Sequence, residues 1–137
     1  MKANGKCLCG IVELEVDLSS TEVAACHCSM CRNWSGGPMM VIDCGDSLKV
    51  SDEEPVTRYQ SSEWAERGFC AKCGTHLFYF LKPNNQYHLP AGLLGIEAEY
   101  KFSHQIFIDE KPEYYDFSNE TENMTGAEVF AHFQGNE

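Results

Sequence analysis

Basic residues are scarce in this chain: 10 Lys and Arg stand against 21 Asp and Glu, a formal net charge of -11. A surface of that sign repels phosphate backbones and anionic membranes wherever salt leaves it unscreened, so nucleic acid and membrane are poor partners. Long apolar runs are missing too. No stretch approaches the roughly 18 apolar residues that cross a bilayer, and the opening MKANGKCLCG has neither an apolar signal core nor a small-residue cleavage site. A soluble, cytoplasmic protein is the expectation. Internal repeats, low-complexity tracts and linkers are also absent. At 137 residues and 43% hydrophobic, the chain can bury one core but is too short for two, so a single domain over residues 1–137 is expected. Helical periodicity is thin: only 28–34 and 125–133 offer a turn or two, the second with Thr125 and Glu128 spaced as a capping box.

What the chain does contain is short strands. Residues 11–18 alternate Val12, Leu14, Val16 and Leu18 with Glu13, Glu15 and Asp17, the pattern of a half-buried strand. Further strand-like runs lie at 23–28, 38–44, 47–51, 55–61, 75–81 and 104–108, separated by the turn signals SGGP, CGD and KPNN. Many short strands with frequent turns predict an all-β, mainly antiparallel architecture. The acidic stretch 118–126 is expected to be a solvated loop.

Eight cysteines would mean disulfides in a secreted chain; under reducing conditions they read as metal ligands or catalytic groups. Cys7 with Cys9, and Cys70 with Cys73, are two chelating pairs, each followed by a glycine (Gly10, Gly74) that lets the backbone turn sharply near the sulfurs. Two such pairs brought together by the fold make a closed tetrahedral structural zinc site. Cys26, Cys28 and Cys31 supply only three sulfurs, one short of closure. Three protein ligands and an open fourth position are the arrangement of a catalytic zinc, so chemistry is expected there. In the extended C-H-C segment His27 points away from its cysteine neighbours and is not expected to bind the same ion.

Blander readings stand beside these. Cys44, His76 or His104 could close the trio into a second structural site, whereas Cys44 by itself reads as a small buried hydrophobe. His88 and His132 read as ordinary surface or satisfied histidines, and most of the aromatic residues as core. Arg32, next to Cys31, could offset thiolate charge, contact an anionic substrate, or form a plain surface ion pair.

The segments C-L-C-G at 7–10, C-H-C-S-M-C-R at 26–32 and F-C-A-K-C-G-T-H-L at 69–77, in that order, resemble the glutathione-dependent formaldehyde-activating enzyme family. The likeness continues through F-S-H-Q-I-F-I at 102–108 and P-E-Y-Y-D-F at 112–117. The resemblance implies an Mss4-like β-tent with a zinc clip and two Zn²⁺ per chain: a structural ion on Cys7, Cys9, Cys70 and Cys73, and a catalytic ion on Cys26, Cys28 and Cys31. It also implies a carbon–sulfur lyase or synthase acting on thiol–aldehyde adducts, with S-(hydroxymethyl)glutathione as the named product. The partner would be a small thiol or aldehyde such as glutathione, which as an anion would be served by Arg32, Arg58, Arg67 or Lys72 at the site. The competing reading is a non-enzymatic binding module whose zincs only hold the fold. Pairing through exposed strand edges is compatible with a small β protein but not demanded, so a monomer or homodimer is expected.

Overall fold

The structure, a computed structural model, describes residues 1–95 and 99–134. In chain order the strands are β1 (Lys2–Lys6), β2 (Glu13–Asp17), β3 (Glu22–Cys26), β4 (Met39–Asp43), β5 (Lys49–Val50), β6 (Val56–Gln60), β7 (Ala65–Cys70), β8 (His76–Leu81), β9 (Gln86–Pro90), β10 (Lys101–Ile106) and β11 (Glu122–Met124). Among the described residues two helices accompany them, α1 (Ser29–Ser35) and α2 (Gly126–Gln134), with short 3-10 turns at Ala91–Leu93 and Ile108–Glu110. The β-rich, mainly antiparallel architecture expected from the strand runs is what the chain forms. No helix among the described residues is long and apolar enough to cross a membrane.

The chain divides into two compact units, Met1–Thr21 with Ile42–Glu99, and Glu22–Val41 with Tyr100–Glu137. In the first, β1, β2 and β5 form an antiparallel sheet, with Lys2 opposite Asp17 and Leu14 opposite Val50. The alternation in β2 does what its period dictates: Val12, Leu14, Val16 and Leu18 are all buried, while Glu13 and Asp17 face solvent. Each such side chain removed from water contributes on the order of 1.5–3 kcal/mol. Strands β6 to β9 form an antiparallel meander in the same unit. Its centre is Phe78, fully buried, which lies opposite Gly68 so closely that a Cβ on Gly68 would fall 2.2 Å from the Phe78 ring. That glycine is there for the space it leaves empty.

The second unit departs from the antiparallel expectation. Strand β10 pairs in parallel with β3 on one side and with β11 on the other. The segment expected as a solvated loop therefore contributes a strand, Glu122–Met124, although most of its side chains are exposed as predicted. The run expected as a strand through 108 stops at Ile106, because Phe107 adopts a left-handed conformation (φ 54°) and turns the chain into the 3-10 turn. The capping box before α2 forms: Glu128 N–H donates to Thr125 Oγ1 at 3.2 Å and Thr125 N–H to Glu128 Oε1 at 3.1 Å. Strands β1, β7 and β9 lay outside the predicted runs; Gly5 and the charged residues of Ala65–Cys70 hide the period-2 signal.

Candidate functional site

Both chelating pairs sit at strand ends in the first unit. Cys7 and Cys9 follow β1, Cys70 closes β7, and Cys73 lies in the turn before β8. The two turns are built alike. Cys7 N–H donates to Val12 O and Cys70 N–H to Thr75 O, each at 3.0 Å; Gly10 N–H returns to Cys7 O and Gly74 N–H to Cys70 O. Gly10 (φ 82°) and Gly74 (φ 78°) adopt the left-handed backbone that side chains disfavour, as the sequence reading required. The four sulfurs lie within 4.8 Å of one another, with Cys7 to Cys9 at 3.5 Å and Cys9 to Cys70 at 3.8 Å. Thiolates about 2.3 Å from a tetrahedral zinc stand about 3.8 Å apart, so this cluster has the dimensions of a metal centre.

Polar contacts prepare two of these sulfurs, those of Cys7 and Cys73, to be anionic. Val12 N–H points at Cys7 Sγ from 3.3 Å. The Thr75 hydroxyl accepts from Leu8 N–H at 3.0 Å and donates to Cys73 Sγ at 3.1 Å, so one side chain ties the two turns together. That hydroxyl, aided by the Cys9 and Thr75 backbone N–H groups, pulls the Cys73 thiol down to about 5. Thr75 carried no motif signal and was missed in the sequence.

The second cluster lies in the second unit. Cys26 ends β3, and the chain passes through His27 to Cys28, which caps α1, with Cys31 one turn in. The three sulfurs lie within 4.8 Å of one another, and no further Cys, His, Asp or Glu joins the group among the described residues. Cys28 Sγ accepts the Cys31 N–H at 3.4 Å, so the helix cap itself aims this sulfur. Hydrogen bonds with the Cys28 and Cys31 sulfurs, followed by burial, push the Cys26 thiol upward: the three cannot all ionise without a cation to share the charge. Arg32 is turned toward the backbone here, its Nε donating to His27 O at 2.9 Å.

Two of the side chains that could have closed the trio, His104 and Cys44, are occupied elsewhere. His104 uses Nδ1 on Ser103 Oγ (2.6 Å) and Nε2 on Glu122 (3.1 Å). Cys44 is the buried small hydrophobe expected, its thiol donating to Ile42 O at 3.5 Å, with burial followed by the Asp43 charge raising it to about 12. His76 is held down to about 4 by burial and then by Arg67. His132 is exposed, and His88 packs edge-on to Tyr79 at 6.0 Å. Arg58 lies over the Phe78 ring at 4.8 Å and Arg67 over Tyr79 at 5.0 Å, both within the first unit. His27 is no ligand: both ring nitrogens bond to other side chains, Tyr115 and Gln105, a pairing across the sequence that no local pattern announced.

Fold and sulfurs together define a class: β-rich proteins with two cysteine clusters able to hold metal ions, one with four thiols and one with three. Within it, the chain belongs to the glutathione-dependent formaldehyde-activating enzyme family, whose sequence model matches residues 2–110. The chain is 40% identical over 127 residues to an uncharacterized lyase of Schizosaccharomyces pombe, covering 91% of this chain and 92% of that one. It is also similar to a crystal structure of a Rhodobacter sphaeroides protein, with a TM-score of 0.60 and 26% identity over 73% of this chain and 99% of that one. Family and relative together support a lyase-type activity.

Proposed function

We propose that the protein is a zinc-dependent carbon–sulfur lyase or synthase acting on thiol–aldehyde adducts, with glutathione and formaldehyde as the first pair to test. The observation that carries this reading is the difference between the clusters: four sulfurs in one and three in the other. The soft, closely spaced donor set suits zinc in both places. Cys7, Cys9, Cys70 and Cys73 would hold the ion that fastens the fold, and Cys26, Cys28 and Cys31 the ion that works. Zinc at the three-sulfur site would lower the pKa of a thiol taking the fourth position and hold it beside its partner.

The chain's own residues do the rest. Cys28 is fixed as a helix cap and Cys26 at a strand end, so the two would set the direction from which a substrate sulfur approaches. In the synthetic direction that sulfur donates its electron pair to the aldehyde carbon, a C–S bond forms, the carbonyl π pair moves to oxygen, and the thiol proton ends on that oxygen. The lyase direction breaks the same C–S bond and returns the proton to sulfur. Three thiolates make zinc a weaker Lewis acid than three imidazoles would, which favours thiol chemistry over hydrolysis.

The test combines zinc analysis with NMR of glutathione and formaldehyde mixtures. The expected result is two zincs per chain and adduct formation and breakdown faster than the uncatalysed exchange, lost in Cys28→Ser. Two bound zincs with no acceleration would retire this substrate pair. A fourth protein ligand on the second ion would retire the enzyme in favour of a module whose zincs only hold the fold.

A further inference from the structure

His27 stands between two of the three sulfurs, and each of its polar atoms is engaged. Its N–H donates to Ile106 O at 3.1 Å, and its carbonyl accepts from Arg32 Nε at 2.9 Å. In the ring, Nδ1 lies 2.8 Å from Tyr115 Oη and Nε2 lies 2.8 Å from Gln105 Oε1. The ring is 0% exposed, stacks on Tyr115 with centroids 5.5 Å apart, and has Phe117 at 6.1 Å.

The contacts beyond set the direction of these bonds. The Thr121 hydroxyl donates to Asn123 Oδ1 at 2.7 Å, so it accepts from Gln105 Nε2 at 2.9 Å, and Gln105 must present its oxygen to the imidazole. Nε2 of His27 therefore carries the hydrogen, and in the neutral ring Nδ1 accepts from the Tyr115 hydroxyl. Tyr115 is itself held, since Lys111 Nζ donates to its carbonyl at 2.6 Å and lies over its ring at 5.3 Å. Tyr115 lies beyond residue 110, where the match to the family model ends, while His27 and Gln105 lie within it.

We infer that His27 is a positioning residue for the three-sulfur centre. Pinned through Tyr115 and Gln105, it fixes the backbone between Cys26 and Cys28 so that the sulfurs keep three corners of a tetrahedron and leave the fourth open to a substrate thiol. The inference rests on the proposed three-sulfur zinc site. Only the backbone torsions of residue 27 and its two flanking peptides separate Cys26 from Cys28, so freedom there translates directly into sulfur spacing. Side chains that orient a metal centre from behind its ligands commonly change metal affinity about 10–100-fold when removed.

The test uses the full chain loaded with zinc and follows metal release to a chromogenic chelator, which resolves a phase for each site. Tyr115→Phe keeps the stacked ring and loses the hydroxyl; Gln105→Met keeps the bulk and loses the acceptor. Phe117→Leu is the packing control, since Phe117 touches the His27 ring without bonding to it. The expected result is that both hydrogen-bond variants speed one phase by about 10-fold or more and leave the other unchanged, while the control alters neither. Cobalt-loaded protein should show the same selectivity, with shifted visible ligand-field bands in Tyr115→Phe and native bands in Phe117→Leu. Unchanged release, equal acceleration of both phases, or a control matching Tyr115→Phe would overturn the positioning role. If Gln105→Met does not fold, Tyr115→Phe decides alone. One zinc per chain in the unsubstituted protein would sink the three-sulfur reading and this inference with it, whereas two zincs with unaltered release sink the inference only.

Discussion

Replacing Cys70 by Ser and, separately, Cys28 by Ser should separate a fold-fastening cluster from a working one. Cys70 is fully buried at the end of β7, and its cluster joins Cys7 to Cys73 across most of the first unit. Treated as a cross-link closing about 65 residues, that clip is worth about 4 kcal/mol in loop entropy alone. Losing a ligand weakens the clip and also leaves a buried hydroxyl in place of a sulfur, so Cys70→Ser should lose at least that much, a large share of the about 5–15 kcal/mol that small domains possess. The trio, by contrast, spans only Cys26 to Cys31, a loop of about 6 residues worth about 2 kcal/mol at most by the same reasoning. Serine is moreover a good helix cap, so Ser at position 28 can still accept the Cys31 N–H. Thermal unfolding followed by circular dichroism, with zinc content measured on the same samples, checks this. Cys70→Ser should unfold about 12 °C or more below the unsubstituted protein, or fail to fold, and Cys28→Ser should stay within about 5 °C while losing one zinc. Equal losses in the two variants would refute the division of roles.

Three other substitutions probe the structure around the clusters. Burial and then Arg67 depress the folded His76 from 6.5 to about 4, so the unfolded chain takes up a proton first as pH falls through that window. Stability should drop by about 2 kcal/mol between pH 6.5 and 4 on this account, after allowing for partial solvent screening, and urea titrations at each pH should show a flatter profile for His76→Gln. Gly68→Ala drives a methyl group into Phe78, from which its Cβ would stand 2.2–2.7 Å, and should cost about 1–3 kcal/mol in the same titrations; no loss would mean that the strands can part at no cost. Thr75→Val keeps the shape and removes the hydroxyl that bonds Leu8 and Cys73, so chelator competition should show zinc held about 10-fold more weakly at the four-sulfur site, while Thr75→Ser restores it.

The two sulfur clusters were legible in the sequence because their signals are local. A chelating pair, the glycine behind it, the three sulfurs of C-H-C-S-M-C, the alternation of β2 and the Thr125 cap all lie within a few residues, where backbone geometry leaves little choice. Gly10 and Gly74 adopt the left-handed turns for which only their missing Cβ suits them. Strand β1, with Lys, Asn and Gly in five residues, carries no pattern of its own and exists because Asp17 to Glu13 offer a pairing edge. The parallel strands β10 and β11 were likewise set by their neighbours, since pairing direction is a property of the crossover between strands and not of the strands themselves. The placement of His27 against Gln105 and Tyr115 needed residues 78 and 88 positions away, and Thr75 reached Leu8 across 67. The sequence by itself determined which atoms can bind metal, because ligand spacing is written in covalent geometry; only the tertiary structure decided which side chains hold those ligands in place, because buried hydrogen bonds choose their partners by distance in space.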